Sequence, residues 1–224
     1  MKNAQPMKSF HALGALLSYP TPDLIRALPD VHAVIVEEAL VDRAGRRALR
    51  ALMHELQSTD PLELEERYVA LFDRGRATAL HLFEHVHGDS RDRGQAMVDL
   101  AGVYAAGGYE LAPRELPDYL PAMLEYLSHR PLDEARDMLA DCAHILRSVG
   151  GALRERGSRY ACVFESLLTA VGEPGLESLP RTTGEAEADM DSLWAEEPAF
   201  GPSAGNAACS AIASGRGCSP RPAA

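Results

Sequence analysis

Residues 132–171 read LDEARDMLADCAHILRSVGGALRERGSRYACVFESLLTAV, and their apolar side chains recur every three or four positions. This spacing places them on one face of an α-helix, so the stretch predicts two successive amphipathic helices. The first apolar stripe comprises Leu132, Ala135, Leu139, Cys142, Leu146 and Val149 and runs on towards Leu153. The second comprises Tyr160, Val163, Phe164, Leu167 and Leu168 and reaches Val171, immediately before Gly172.

The same periodicity continues upstream of this stretch. Further apolar stripes occupy residues 10–17, 49–56, 64–72, 97–104 and 116–127. Two helix starts carry a capping residue followed by proline, namely Thr21-Pro22, which opens a short turn through Leu28, and Asp60-Pro61. No alternating run rich in Val, Ile and Thr occurs, so strands are not needed. The predicted fold class is therefore all-α, a single-domain helical bundle.

The composition changes after Gly172. Residues 173–224 are rich in Pro, Gly, Ser and Ala and carry eight acids against three arginines. Such a segment buries too little apolar surface to offset the entropy of ordering it. We therefore predict a helical domain over residues 1–172 and a mostly disordered, acidic C-terminal tail over residues 173–224. Within the tail, residues 193–200 (LWAEEPAF) are either a docking patch or a solvated stretch with a stray tryptophan.

Charge and cysteine content restrict the partners and the compartment. The formal net charge is -11, and a surface of that sign repels phosphate backbones and attracts basic partners. No stretch approaches the roughly 18 apolar residues needed to span a bilayer, and the first residues show no signal-peptide pattern. The four cysteines are too sparse for a disulfide framework and lack zinc spacing. We expect a cytoplasmic protein with free thiols, no nucleic-acid ligand and no stable membrane association.

One short motif has the form of a catalytic metal site. Residues 81–85, HLFEH, spell H-x-x-E-H, an inverted zinc-protease pattern. On a helix, His81 and His85 would share a face and bind zinc, with Glu84 activating water. The alternative is a histidine-rich helix–loop junction that packs through Leu82, Phe83 and Val86. Phosphate loops, nucleophile elbows and dinucleotide fingerprints are missing, which predicts a protein without catalytic activity.

A second candidate site lies in residues 114–127, RELPDYLPAMLEYL. Its prolines predict a helix that starts near Pro117 and is bent or relayed at Pro121. Helical spacing then gathers three acids and two tyrosines on one side: Glu115, Asp118, Glu125, Tyr119 and Tyr126. Carboxylates and aromatic faces suit the guanidinium groups of an arginine-containing peptide. The alternative is an ordinary helix start whose acids offset the helix dipole.

Two segments resemble a known family. The run ALHLFEHVHGDSRDRGQAM at residues 79–97 is similar to the signature stretch of the NarJ-type chaperones of respiratory nitrate reductase. Residues 114–127 resemble the Glu-Pro-x-Asp-His motif of the wider TorD/NarJ/DmsD superfamily, in the form Glu-Leu-Pro-Asp. The likeness extends from Leu13 to Pro198. It departs from the superfamily pattern at Tyr119, where histidine is usual.

This resemblance implies an all-helical cytoplasmic chaperone. Family members bind the N-terminal segment of the apo catalytic (alpha) subunit of a molybdenum enzyme, which in nitrate reductase resembles a remnant twin-arginine signal. They hold that subunit open for insertion of the molybdenum cofactor and the nearby iron–sulfur cluster, and they delay its docking to the membrane subunit. No cofactor or metal of the chain's own is expected. The nitrate reductase isoenzyme that would be the client stays open.

The resemblance and the residues together give a binding-site hypothesis. An apolar groove takes one face of the client peptide, and acids beside the groove meet its basic residues. The groove residues are Tyr68, Leu71, Phe72, Tyr119 and Tyr126, and the acids are Glu115, Asp118 and Glu125. Two rival hypotheses remain, a zinc-dependent hydrolase using His81, Glu84 and His85, and an adaptor of the same fold with an unrelated client.

Overall fold

A computed structural model describes residues 7–86, 91–113 and 115–176. Within these ranges the α-helices are α1 (Lys8–Leu17), α2 (Pro22–Glu38), α3 (Arg43–Ser58), α4 (Pro61–Tyr68), α5 (Leu82–Val86), α6 (Arg91–Ala106), α7 (Leu120–Ser128), α8 (Leu132–Asp141), α9 (Ala143–Glu155) and α10 (Ala161–Ala170). A π-helical turn (Val69–Asp73) and a 3₁₀ turn (Arg76–Thr78) follow α4. The described residues form no strand, so the predicted all-α class is confirmed.

Helix α2 is longer than the sequence predicts. Thr21 caps it as expected, because its side chain accepts a hydrogen bond from the Leu24 N–H at 3.2 Å. The predicted stop at Leu28 is wrong, since α2 continues through Pro29. A proline inside a helix removes one backbone hydrogen bond. Burial of Leu28 and Ile35 on either side of Pro29 stabilises the continuous helix against that loss.

The structure differs from the predicted helix over residues 117–127. Helix α7 begins later, with Pro121 in its first turn, where a missing N–H removes no helical hydrogen bond. The predicted start near Pro117 is therefore wrong, and Pro121 lies at the start of a helix rather than at a bend within one. Glu115 and Asp118 precede the helix, so they do not share a helical face with Glu125.

Helix α1 packs against α2, α7 and α10. Its Phe10 and Leu13 are fully buried. Gly14 permits a close approach to α7, because a Cβ at this position would lie 3.1 Å from the Cβ of Leu124 and 3.2 Å from the carbonyl oxygen of Pro121. The α1–α7 contact thus fixes the start of α7, and with it the turn that carries the second candidate site.

The packed body extends beyond Gly172, the predicted domain boundary. Leu176 is buried, and its side chain lies over the backbone of Gly150. Arg154 donates a hydrogen bond to the Leu176 carbonyl at 2.9 Å, and the Leu176 N–H donates to the Glu165 carboxylate at 2.7 Å. Residues 173–176 therefore belong with the helices rather than with the predicted tail.

Two of the four cysteines lie in the helical body. Cys142 and Cys162 are free and half-buried, and burial raises the pKa of Cys142 to about 11 and that of Cys162 to about 12. Few thiolates exist at such pKa values, so both thiols are weak nucleophiles. Cys209, Cys218, the rest of the predicted tail and its 193–200 patch lie outside the described residues. Among the described helices, none is both long and apolar enough to cross a bilayer.

Candidate functional site

Asp118 is fully buried in the turn before α7. One of its carboxylate oxygens lies 3.1 Å from Nδ1 of His81, and the other accepts a hydrogen bond from the Phe83 N–H at 3.2 Å. A buried carboxylate needs such donors to offset its loss of water. The sequence predicts that Asp118 meets a peptide directly. In this structure its side chain has no exposed surface, and its interactions are with its own chain.

Arg93 of α6 extends this network. Its guanidinium lies 3.3 Å from the Glu84 carboxylate and 3.7 Å from that of Asp118. The Asp118 backbone takes part as well, because its carbonyl accepts a hydrogen bond from the Leu82 N–H at 3.0 Å. One buried residue therefore holds α5, the start of α6 and the turn before α7 together. We call His81, Glu84, Arg93 and Asp118 the Asp118 network.

The geometry of the H-x-x-E-H segment does not match the zinc hypothesis. Helix α5 begins after His81, so His81 and His85 do not share a helical face. His81 faces Asp118, whereas Nε2 of His85 lies 2.9 Å from the carbonyl oxygen of Ala79. Over the described ranges, no three His, Cys, Asp or Glu side chains form a group that could hold a metal ion.

The alternative interpretation of that segment, a helix–loop junction, agrees with the structure in two of its three packing residues. Leu82 is buried, and Phe83 is half-buried against the core. Val86, the last residue of α5, is 51% exposed. The junction thus depends on its first turn for packing.

His81 supplies an imidazole to Asp118 from a distant part of the chain. Thirty-seven residues separate the two, and an antiparallel backbone bridge pairs His81 with Tyr119. The ring centroids of His81 and Tyr119 are 5.3 Å apart. An imidazole from another segment of the chain therefore lies beside Tyr119. Sequence reasoning missed this pair because no local pattern indicates a contact over such a separation.

The His81–Asp118 contact predicts a pH-dependent contribution to stability. The hydrogen bond to Asp118 raises the pKa of His81 above its ordinary 6.5, against the lowering effect of burial, while Glu84 raises and Arg93 lowers it. A raised pKa stabilises the folded state below the unfolded-state pKa, and that stabilisation is lost as the pH rises through the folded-state value. In urea unfolding, the stability difference between wild type and His81→Asn should be largest below pH 6.5 and shrink above it. A difference that does not vary with pH would contradict this.

Most of the predicted groove side chains are core side chains. Tyr68 and Phe72 are buried with their ring centroids 4.9 Å apart, and the Tyr68 hydroxyl donates to the Leu17 carbonyl at 2.9 Å. Tyr119 is half-buried, and its hydroxyl lies 3.4 Å from that of Tyr68. Leu71 is also half-buried. The structure therefore brings these residues together, but only Tyr119 and Leu71 present appreciable surface.

Tyr126 and Glu125 belong to a second aromatic cluster. Tyr126 is buried, with its ring centroid 4.6 Å from that of Tyr104 and 5.8 Å from that of Tyr109. Glu125 is half-buried against Tyr109, whose pKa is raised by burial and then by Glu125. The predicted site residues thus do not line one continuous groove. Tyr68, Phe72 and Tyr119 lie in the first aromatic cluster, and Glu125 and Tyr126 lie in the second.

An exposed tyrosine that sequence reasoning missed lies beside the first cluster. Tyr19 is 40% exposed, and its ring meets that of Tyr68 edge-on with centroids 5.3 Å apart. It lines an open cleft of about 470 Å³. The other lining residues are Glu65, Glu66, Val69, Ala70 and Arg74. In the sequence, Tyr19-Pro20 indicates only the end of a helix.

Acidic side chains surround the two accessible tyrosines. Loss of water contact raises the pKa of Tyr19, and Glu65 and Asp73 raise it further. Burial raises the pKa of Tyr119 against the opposing effect of Tyr68, with Glu115 and Asp73 adding to the increase. Both hydroxyls therefore lie in the field of Asp73. We call Tyr19, Glu65, Asp73, Glu115 and Tyr119 the tyrosine–acid surface.

Comparison with solved structures supports the fold class. A crystal structure of a proposed redox enzyme maturation protein from Archaeoglobus fulgidus aligns with a TM-score of 0.53 and 19% sequence identity. The alignment covers 75% of this chain and 94% of that chain. At that identity the likeness concerns the fold. The molecule is thus an all-α protein with the fold of that structure.

Sequence comparison identifies the family and several relatives of this chain. The nitrate reductase delta subunit family matches residues 38–165. The nitrate reductase molybdenum cofactor assembly chaperone NarJ of Escherichia coli K12 is 42% identical over 190 residues, 81% of this chain and 80% of that protein. The probable chaperone NarW of the same strain is 39% identical over 197 residues, 85% of this chain and 82% of that one. The probable NarJ of Bacillus subtilis is 33% identical over 168 residues, 75% and 90% of the two chains.

The chain belongs to the nitrate reductase delta subunit family. The resemblance that the sequence predicts is therefore confirmed. The relatives named above are assembly chaperones and not catalysts, which also confirms the prediction of a protein without catalytic activity.

Proposed function

We propose that this chain is a cytoplasmic assembly chaperone of a respiratory nitrate reductase. It binds the N-terminal segment of the apo catalytic subunit and keeps that subunit competent for insertion of the molybdenum cofactor and the iron–sulfur cluster before membrane docking. Relatives of 42% and 39% identity are named for molybdenum cofactor assembly of nitrate reductase, which supports the assembly role. The binding step is supported by the tyrosine–acid surface.

The chemistry of this surface suits a peptide that carries basic residues. Tyr19 and Tyr119 present flat, partly exposed rings, on which guanidinium groups stack and against which aliphatic side chains pack. Carboxylates beside such rings accept charge-assisted hydrogen bonds from arginine. The observation that carries the proposal is that partly exposed tyrosine rings adjoin carboxylates. Tyr19 is 40% exposed and lines a cleft with Glu65 and Glu66.

The predicted site residues take different roles in this proposal. Glu115, Tyr119 and Leu71 have solvent-accessible surface and contact the peptide. Among the buried members of the set, Tyr68, Phe72 and Asp118 support the surface and hold its backbone in place, whereas Tyr126 belongs to the cluster around Tyr109. Glu125 extends the acidic character towards the cluster around Tyr109.

Calorimetric titration with a peptide copying the N-terminus of the same organism's nitrate reductase catalytic subunit tests the proposal. Wild type should bind one peptide, with an affinity that falls as salt rises. Asp73→Lys/Glu115→Lys should weaken binding by at least about fivefold, because it replaces attraction with repulsion at the rim. The matched control is Asp137→Lys/Glu155→Lys, which makes the same charge change at two exposed residues outside the surface.

Three outcomes would contradict the proposal in different ways. Equal weakening in both double variants would show a general charge effect and remove the tyrosine–acid surface from the proposal. Salt-independent binding would indicate that apolar residues, rather than the acids, make the contact with the peptide. No binding by wild type, together with capture of an unrelated client, would favour the adaptor hypothesis.

A further inference from the structure

Helix α3 carries an arginine cluster that the proposed function does not use. Residues 43–54 read RAGRRALRALMH and contain four arginines and no acid, in a chain of net charge -11. Arg43, Arg47 and Arg50 follow one another at intervals of four and three residues, which places them on one helical face. All three are exposed, and the exposed His54 continues the row by one turn. We call Arg43, Arg47 and Arg50 the arginine face.

These arginines have no carboxylate partner among the described residues. Other arginines of the body do, since Arg159 lies 2.7 Å from Glu55, and Arg130 lies 3.0 Å from Glu134. The three members of the arginine face, and Arg46 beside them, make no ion pair within 4 Å in the described part of the chain. Over the described ranges, their charges are exposed and not neutralised by a carboxylate.

The position of the cluster opposes the stability of α3. The helix begins at Arg43, and its first turn contains no acidic residue. Cations at a helix N-terminus oppose the macrodipole, and like charges at i,i+4, such as Arg43 with Arg47, repel each other. Among the described residues, Asp42 stabilises the N-terminus of α3, because its side chain accepts a hydrogen bond from the Gly45 N–H at 2.7 Å. Folding alone does not explain four arginines in this position.

A cleft with small apolar side chains runs along the flank of the same helix. It has a volume of about 360 Å³ and lies between α3, α10 and the segment that ends at Leu176. Ala44 and Ala48 of α3 face Ala161 and Cys162 of α10 across it. Asp42, Arg154, Glu165 and Thr169 also line it, whereas Arg43, Arg47 and Arg50 do not. The two carboxylates disfavour an anion in the cleft, so the cleft is separate from the arginine face.

We propose that the arginine face binds an acidic segment of a partner protein. Carboxylates of the segment pair with Arg43, Arg47 and Arg50. A short peptide fits this arrangement better than a nucleic acid or an anionic membrane. Charges act over a Debye length of about 8 Å at physiological salt, so a peptide meets only the local arginines, whereas an extended polyanion also meets the acidic body.

Fluorescence anisotropy with a labelled, capped peptide of alternating glutamate and alanine tests the proposal. Wild type should bind it with a salt-dependent affinity, and Arg43→Glu/Arg47→Glu/Arg50→Glu should weaken binding by roughly tenfold or more. The matched control is Arg26→Glu/Arg74→Glu/Arg76→Glu, which reverses three exposed arginines elsewhere and should bind as wild type does.

Thermal unfolding of the same proteins separates binding from folding. The single variant Arg43→Glu replaces a cation by an anion in the first turn of α3, so its Tm should equal or exceed that of wild type. Loss of peptide binding at an undiminished Tm therefore identifies the arginine face as a binding surface.

Several results would overturn the proposal. These are equal affinity in wild type and both triple variants, no binding by wild type, or binding to phosphatidylglycerol vesicles without binding to the peptide. The last result would assign the face to an anionic lipid surface. None of them bears on the assembly role proposed above, because that role is tested with a basic peptide on a different surface.

Discussion

Replacing Asp118 by alanine should lower the free energy of unfolding by about 3–5 kcal/mol, the usual cost of removing one partner from a buried ion pair. The change removes the contacts to His81 and Arg93 and the acceptor of the Phe83 N–H. Replacing the carboxylate by a methyl group leaves half-buried polar groups without this acceptor, and each group that water does not reach costs about 1–3 kcal/mol. The loss is large because three segments meet at this one carboxylate.

Chemical denaturation of Asp118→Ala, with Asp137→Ala as the control, measures this effect. Asp137 is exposed on α8, so its replacement should change stability by no more than about 0.5 kcal/mol. If Asp118 were a surface contact for the client instead, its variant would keep wild-type stability and lose peptide affinity. That combination would contradict the buried network.

Replacing Leu176 by alanine should cost about 2–5 kcal/mol, the range for a buried leucine. The side chain is 3% exposed and fills the space over Gly150, where even an added Cβ would lie 2.7 Å from it. The hydrogen bonds of Arg154 and Glu165 to the Leu176 backbone hold it there. The variant leaves a cavity between α9 and α10 that these bonds prevent from collapsing.

Thermal or urea unfolding of Leu176→Ala tests whether residues 173–176 belong to the folded body. Leu62→Ala is a suitable control, because Leu62 is 71% exposed and its truncation should have little effect. A loss for Leu176→Ala no larger than that of the control would return the boundary to Gly172, where the sequence predicts it.

Local patterns in the sequence predict the helices well. The stripes over residues 132–171 are helical, because the side chains that recur every three or four residues are those that the core buries. The first stripe, predicted as one helix, is divided at Cys142 into α8 and α9, and the second becomes α10. Thr21 and Asp60 cap α2 and α4 as their sequence context predicts. The effect of a proline on a helix does not follow from the local sequence. Pro29 lies inside a continuous helix and Pro121 in a first turn, and packing from distant residues decides both cases.

The candidate site could be predicted only in part, because it depends on contacts between distant segments. The sequence indicates that residues 114–127 matter, but it does not show that Asp118 is buried, since its donors come from α5 and α6. Tyr19 joins the surface only because α1 ends beside Tyr68. The arginine face is visible in the sequence of α3, whereas its lack of partners is a property of the folded chain.

The central claim is that this chain is required to load a nitrate reductase catalytic subunit with molybdenum. The most direct test is the molybdenum content of that subunit after production with and without this chain, measured by mass spectrometry. We expect a loaded subunit in its presence, a largely metal-free one in its absence, and a reduced content with Asp73→Lys/Glu115→Lys. Equal molybdenum content with and without the chain would contradict the proposed function.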